Sequence, residues 1–152
     1  IEIARVVSSR STCMRRRYGA VIVKDHVIVS TGYNGAPRGS VNCVDRGTCR
    51  RQELNVPAGE RYELCEAVHA EQNAIIQAAL HGITLEGGTI YTTHQPCHTC
   101  AKMIINAGLV RVVYAGHYPD ELAMKYLKAA GVQVDHFDLG DRTPAPPPSL
   151  KK

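Results

Sequence analysis

No apolar run in the 152-residue chain approaches the ~18 residues needed to cross a bilayer, and Ile1 to Ser9 carries Glu2 and Arg5 rather than the pattern of a secretory leader. The first absence excludes a membrane span, and the second leaves nothing to support export, so a cytoplasmic location is expected. Ile1 stands where an initiator Met would, which suggests that a few natural residues precede it. Charge of one sign is also scarce. The net charge is +4, and Lys and Arg are spread along the chain except at Arg15-Arg16-Arg17 and Arg50-Arg51. Each short run reads first as solvated surface and second as a phosphate contact, so duplex binding is not demanded and no nucleic-acid partner is expected. No internal repeat is present.

What remains has ordinary globular proportions, 44% apolar and 21% charged, enough for one compact domain over residues 1–141. Residues 142–152, with Pro144, Pro146, Pro147 and Pro148, have little to bury and read as a Pro-rich disordered tail. Ile1 to about Ser9 reads as a short helix. Gly19–Lys24 and Val27–Thr31 read as β-branched strands joined by a turn at Asp25-His26. Asn34 to about Cys65 has no sustained period, and a loop of that length in a compact domain needs either a function or a staple. Ala67 to Leu80 is rich in helix formers and stops before Gly82. Thr89–Thr93, Leu109–Ala115 and Val132–His136 read as strands, with helices over Cys97–Asn106 and Glu121–Ala130 between them. The order α, β, β, α, β, α, β, α, β predicts a three-layer α/β/α sandwich with a mixed sheet and one antiparallel hairpin.

Six cysteines without an export signal favour metal or thiol chemistry over a disulfide framework. Cys97 and Cys100, at i and i+3 in a first helical turn, share a face, and the helix N-terminus stabilises thiolate. Alone, a C-x-x-C pair is weak. No second pair exists to make a ribbon, and Ala101 stands where haem attachment requires His, but a redox pair in Pro96-Cys-His-Thr-Cys stays open. His69-Ala70-Glu71, at the start of the preceding helix, supplies a third ligand from a neighbouring helix start. Three protein ligands, His69, Cys97 and Cys100, leave a fourth zinc position open, as catalytic sites do. H-x-E followed by P-C-x-x-C is the signature of zinc base deaminases, with the Glu, here Glu71, as proton carrier and not a ligand. Positions i and i+2 of a regular helix face apart, so His69 must sit at an irregular turn for both groups to converge.

Ser11-Thr-Cys, Tyr18-Gly-Ala-Val-Ile-Val, Thr31-Gly-Tyr-Asn-Gly-Ala-Pro, Leu64-Cys-Glu-Ala-Val-His-Ala-Glu-Gln-Asn-Ala-Ile and Pro96-Cys-His-Thr-Cys-Ala-Lys together resemble the deoxycytidylate (dCMP) deaminases of the cytidine deaminase superfamily. The similarity runs from about Ser11 to Gln133. It implies a five-stranded sheet, a homo-oligomer with sites near subunit contacts, and zinc-dependent hydrolysis of dCMP to dUMP and ammonia in the supply of dUMP and dTMP. It also implies activation by dCTP and inhibition by dTTP. Glu71 would move protons between water, ring N3 and the departing amine, with the Ala70 amide N–H on the new oxygen. Asn34 matches a sugar-binding Asn of the superfamily; its plainer role is a turn residue before Gly35. Arg16 and Tyr118 lie in segments resembling the mouth of the family's pocket and are candidates for 5′-phosphate and nucleotide contact. Their plainer readings are a solvated cation and a half-buried ring.

Cys13, Cys43, Cys49 and Cys65 punctuate the chain around the long irregular segment, so a second, structural zinc could staple it, as the resemblance also supports. The alternative is a set of small buried thiols. His26, His81, His94, His98 and His117 show no compelling spacing, although His94 or His98 could replace a cysteine. Three other functions compete: a polynucleotide base deaminase such as a transfer-RNA adenosine deaminase, a thiol redox protein using Cys97 and Cys100, and a zinc-stapled binding module. The long segment after Asn34 argues against the first by covering the pocket, and the last leaves Glu71 unexplained.

Overall fold

The computed structural model describes residues 1–57, 60–118 and 120–138; the Pro-rich segment expected over 142–152 lies outside them. Helix α1 (Glu2–Ser8) leads into strands β1 (Gly19–Lys24) and β2 (Val27–Tyr33). Their turn places Asp25 and His26 at φ 49° and 64°, the two left-handed residues that a tight hairpin requires. The segment expected to lack regular structure contains two single-turn helices, α2 (Cys43–Arg46) and α3 (Arg50–Glu53), and a 3-10 turn at Tyr62–Leu64. Then follow α4 (Ala70–Leu80), β3 (Thr89–His94), α5 (His98–Asn106), β4 (Arg111–Gly116), α6 (Glu121–Ala129) and β5 (Gln133–His136). Helix α4 starts three residues later than its composition predicts. Ala67 and Val68 are held outside it, because Val68 exchanges both backbone hydrogen bonds with Gly35, at 2.8 and 3.2 Å.

The five strands run in the order β2-β1-β3-β4-β5. β1 is antiparallel to both its neighbours, whereas β3, β4 and β5 pair in parallel. β2 therefore points the same way as β3 without touching it, since β1 lies between them. Two glycines identify the faces, because neighbouring strand residues point to opposite sides. A Cβ on Gly32 would lie 2.2 Å from the Ala70 carbonyl oxygen, so α4 packs there; one on Gly19 would lie 2.0 Å from the Ala4 carbonyl oxygen, so α1 covers the other side. Right-handed crossovers put α5 beside α4 and α6 beside α5. The three layers are thus unequal, with three helices on one face and α1 on the other.

The core lies under the three helices. Ala20, Ile22, Ile90 and Val112 of the sheet meet Ala74, Ala78, Ala101, Ile104 and Leu127. Along α4 the inward side chains are methyl groups, Ala70, Ala74 and Ala78, so the helix backbone lies almost against the strands. Ser30 fixes its height by donating to the Ala74 carbonyl at 2.7 Å. On the opposite face, Arg111 donates to Asp135 at 2.6 Å, giving the outer strands a polar surface.

The charge runs divide. Arg15, Arg16, Arg17 and Arg50 are exposed as expected, but Arg51 is only 5% exposed, which corrects the reading of that run as solvated surface. Its guanidinium donates to the carbonyls of Pro57 and Glu60 and lies 4.7 Å from the Tyr62 ring centroid. Carbonyl partners and an aromatic face are what a buried cation needs, so Arg51 holds the segment together from inside. Among the described residues no helix is long and apolar enough to cross a membrane.

Gly32→Ala is expected to cost about 2–3 kcal/mol or more, because the methyl group meets helix backbone that cannot rotate away. The midpoint of thermal unfolding should fall by roughly 5–10 °C for a domain of this size.

Candidate active site

The two metal-bearing turns begin alike. His69 is the residue before α4, at φ −72° and ψ 157°, and Cys97 is the residue before α5, at φ −76° and ψ 167°. Both are extended, so their side chains leave the helix axis instead of following the helical spiral. This resolves the spacing of His69 and Glu71, since only Glu71 is helical. The Gln72 side chain accepts from the His69 N–H at 2.9 Å and fixes that entry turn.

His69 Nδ1 lies 3.5 Å from Cys97 Sγ and 3.4 Å from Cys100 Sγ, and the three ligand atoms fall within 4.8 Å of one another. Bond lengths of zinc to sulfur and nitrogen at a tetrahedral angle give an S···N edge of ~3.6 Å, so this set is placed to hold one zinc ion. The Glu71 carboxylate oxygen Oε2 is 3.7 Å from Cys100 Sγ and is 7% exposed as a residue. Burial pushes Glu71 above the usual carboxylate range. Without a metal, a hydrogen bond from the Cys100 thiol, with help from His69, holds the Cys97 thiol down to about 4. The same bond, and then burial, pushes Cys100 up. Cys97 in turn raises His69. The three side chains thus perturb one another strongly, as a donor set gathered for a cation does.

Around this centre the chain brings together residues that the sequence marks and others that it does not. Ala70 is the first residue of α4, so its N–H has no intrahelical carbonyl to bond. Asn34 is buried and its side chain is engaged. Oδ1 accepts from Ser11 Oγ and from the Tyr18 N–H, both at 2.7 Å, and Nδ2 donates to the Arg16 carbonyl at 2.9 Å. It shapes the loop that presents Arg16, and one Nδ2 hydrogen remains. The Arg16 guanidinium is exposed, close enough to Tyr18 and His94 to perturb both. Tyr18 packs on His94 at 5.0 Å. Tyr118 meets Tyr62 edge-on at 6.0 Å, and burial followed by the Tyr62 hydroxyl raises its pKa. Tyr62 is not marked by any spacing; Tyr18 lies in a segment that carries the resemblance but has no role assigned there, and His94 is marked only as a possible replacement for a cysteine. A cleft of ≈350 Å³ beside the site is lined by Tyr118, Asp120, Gln95 and Met124, but by none of the metal-binding set.

The other four thiols stay apart from this centre. Cys13, Cys43, Cys49 and Cys65 are free, and Cys43 is raised by burial first and then by the other three around it. Among the described residues, His69, Cys97 and Cys100 form the one group of three or more ligand atoms within 4.8 Å. A second zinc set is not assembled at that distance.

The family model for the cytidine and deoxycytidylate deaminase zinc-binding region matches residues 1–116. The chain belongs to that family. The chain is similar to the deoxycytidylate deaminase of Saccharomyces cerevisiae, 38% identical over 140 residues that cover 91% of this chain and 44% of the yeast protein. The deoxycytidylate deaminase of Enterobacteria phage T4 is 36% identical, covering 88% of this chain and 86% of the phage protein. A crystal structure of dCMP deaminase from the cyanophage S-TIM5, in complex with dCMP and dUMP, superposes with a TM-score of 0.72 at 31% identity. That match covers 90% of this chain and 92% of the cyanophage chain. The chain spans less than half the length of the yeast relative and most of the phage ones. Family membership confirms zinc as the cofactor and the five-stranded deaminase fold.

Zinc uptake by chelator-stripped protein at pH 7 is expected to release at least one proton per ion, because Cys97 is already ionised and Cys100 is not. Affinity should fall as pH is lowered, since protons compete for Cys100 and His69. An indicator dye in weakly buffered solution reads the release, and Cys100→Ser, which takes away one ionisable ligand, should weaken zinc binding.

Proposed function

We propose that the chain hydrolyses dCMP to dUMP and ammonia. The observation that carries this is a buried Glu71 carboxyl beside a His-Cys-Cys set fit for zinc, at two adjoining helix starts. The cyanophage neighbour, whose structure contains dCMP and dUMP, supports the choice of base and phosphate. A redox pair would need neither the third ligand nor the buried acid.

A zinc ion at such a site makes a water molecule acidic enough to serve as a nucleophile near neutral pH. The remaining steps belong to side chains. Glu71, raised by burial, is suited to carrying two protons in turn: one from the attacking water to ring N3 of cytosine, then the one left on the new C4 hydroxyl to the amine leaving C4. The free N–H of Ala70 offers a donor to the new carbonyl oxygen. Asn34 sets the Arg16–Tyr18 loop and keeps one hydrogen for the sugar, while exposed Arg16 offers a cation to the 5′-phosphate. Tyr118, backed by Tyr62, walls the nucleotide on the other side. The Arg51-stapled segment narrows the mouth and favours a free nucleotide over a stem-loop substrate.

Glu71→Gln should keep zinc and lose turnover by about 10²- to 10⁴-fold. An ammonia-release assay across cytidine, deoxycytidine, dCMP, dCTP and a transfer-RNA stem-loop should show preference for dCMP. Equal efficiency with deoxycytidine would remove Arg16 from phosphate binding, and turnover of the stem-loop would replace the substrate reading. Added dCTP should activate the reaction and dTTP inhibit it.

We further propose that Cys13, Cys43, Cys49 and Cys65 close on a structural zinc and that the active particle is a homo-oligomer. Supporting the first, Cys43 lies within electrostatic reach of the other three thiols. Supporting the second, Val27, Ile28, Ile76 and Leu80 are exposed along β2 and the outer side of α4. Native mass spectrometry of zinc-loaded protein should find two ions per chain and several chains per particle. One ion per chain, or a monomer, removes the corresponding proposal.

A further inference from the structure

Helix α5 carries two of the three metal ligands in and just before its first turn, yet no side chain of its own caps it. The cap comes from another helix. Asp120, the residue before α6, places Oδ2 2.8 Å from the His98 N–H and 2.9 Å from His98 Nδ1. Its Oδ1 accepts from the Ala123 N–H at 3.0 Å, the usual bond of a helix cap. Its backbone carbonyl accepts from Gln95 Nε2 at 3.2 Å, which ties it to the segment before Cys97. Burial opposes ionisation of this carboxyl, but the N–H groups of His98 and Ala123 outweigh it and hold Asp120 below the usual range. A single carboxylate thus caps two helix starts at once, and one of them is the metal-binding turn.

We propose that Asp120 is a positioning residue of the metal centre: by gripping His98 through its main chain and its ring, it fixes the Cys97–Cys100 turn against His69. The physical need is clear. A helix of nine residues is marginal by itself, and the N–H groups of its first turn have no carbonyl partners. His98 lies between the two cysteines in sequence, so fraying there would move Cys97 first. Because the sulfur-to-nitrogen edges of the site are already 3.4 and 3.5 Å, a small shift of that turn spoils the tetrahedron.

The test separates this from a cap that serves α6 alone. Asp120→Ala is compared with the parent well below the unfolding temperature of either, using zinc affinity by competition with a chromophoric chelator and the ligand-field spectrum of the cobalt(II)-substituted protein. Loss of a group that orients a ligand weakens metal binding by about 10- to 100-fold. That loss, with altered cobalt bands, is expected. Parent-like affinity and spectrum, together with a lowered unfolding temperature, would show a cap for α6 only and overturn the proposal. Should Asp120→Ala fail to fold, Asp120→Asn retains one acceptor oxygen and is read by the same two signals. A parent protein that takes up neither zinc nor cobalt would strike the metal reading itself, a different failure.

Discussion

Everything in this molecule depends on how closely α4 lies on the sheet. Between the helix backbone and β2 there is no room for a single Cβ at Gly32, and the fully buried apolar side chains of the helix are those of Ala70, Ala74 and Ala78. Contact at this distance is tight in van der Waals terms and leaves little freedom of translation or rotation. Ser30 on the Ala74 carbonyl and the Gly35–Val68 pair lock the remaining directions. A helix set this firmly can aim the two residues at its start.

The aim matters because the chemistry is built on helix starts and not on helix faces. His69 and Cys97 both have extended backbone immediately before a first turn, where side chains diverge from the spiral and main-chain N–H groups lack carbonyl partners. That environment favours the thiolate that a metal needs. It also lets Glu71, buried in the first turn of α4, sit next to the ligand set without joining it. The same burial holds that carboxyl above the usual carboxylate range.

Much of this was legible in the residues. The Asp25-His26 turn, the strands of β-branched residues, the helices ended by Gly82, Gly108 and Gly131, and the His69–Glu71–Cys97–Cys100 constellation follow from local patterns. Even the conflict between i and i+2 spacing predicted an irregular His69. What local patterns do not report is partnership across the chain. Nothing in the composition of β1 says that it inserts between β2 and β3, and crossover handedness alone places three helices on one face. Arg51 reads as surface because its reward, two carbonyls and the Tyr62 ring, is formed only by the folded segment. Asn34 was marked for a ligand, yet its side chain is largely occupied by Ser11, Arg16 and Tyr18. Asp120 carries an ordinary capping signature for α6, and its second helix is invisible without the structure.

The paired hydrogen bonds between Gly35 and Val68 have an evolutionary consequence. They join the two ends of the excursion that contains α2, α3 and Tyr62, so that stretch leaves and re-enters the body of the protein at one point. Closing a longer loop costs free energy only logarithmically in its length. The excursion is therefore a replaceable module: it can lengthen, shorten or change its staple among descendants of one ancestor and so reshape what reaches the mouth. The turn that follows Val68 is left undisturbed, so the excursion can change while His69, Cys97 and Cys100 stay together.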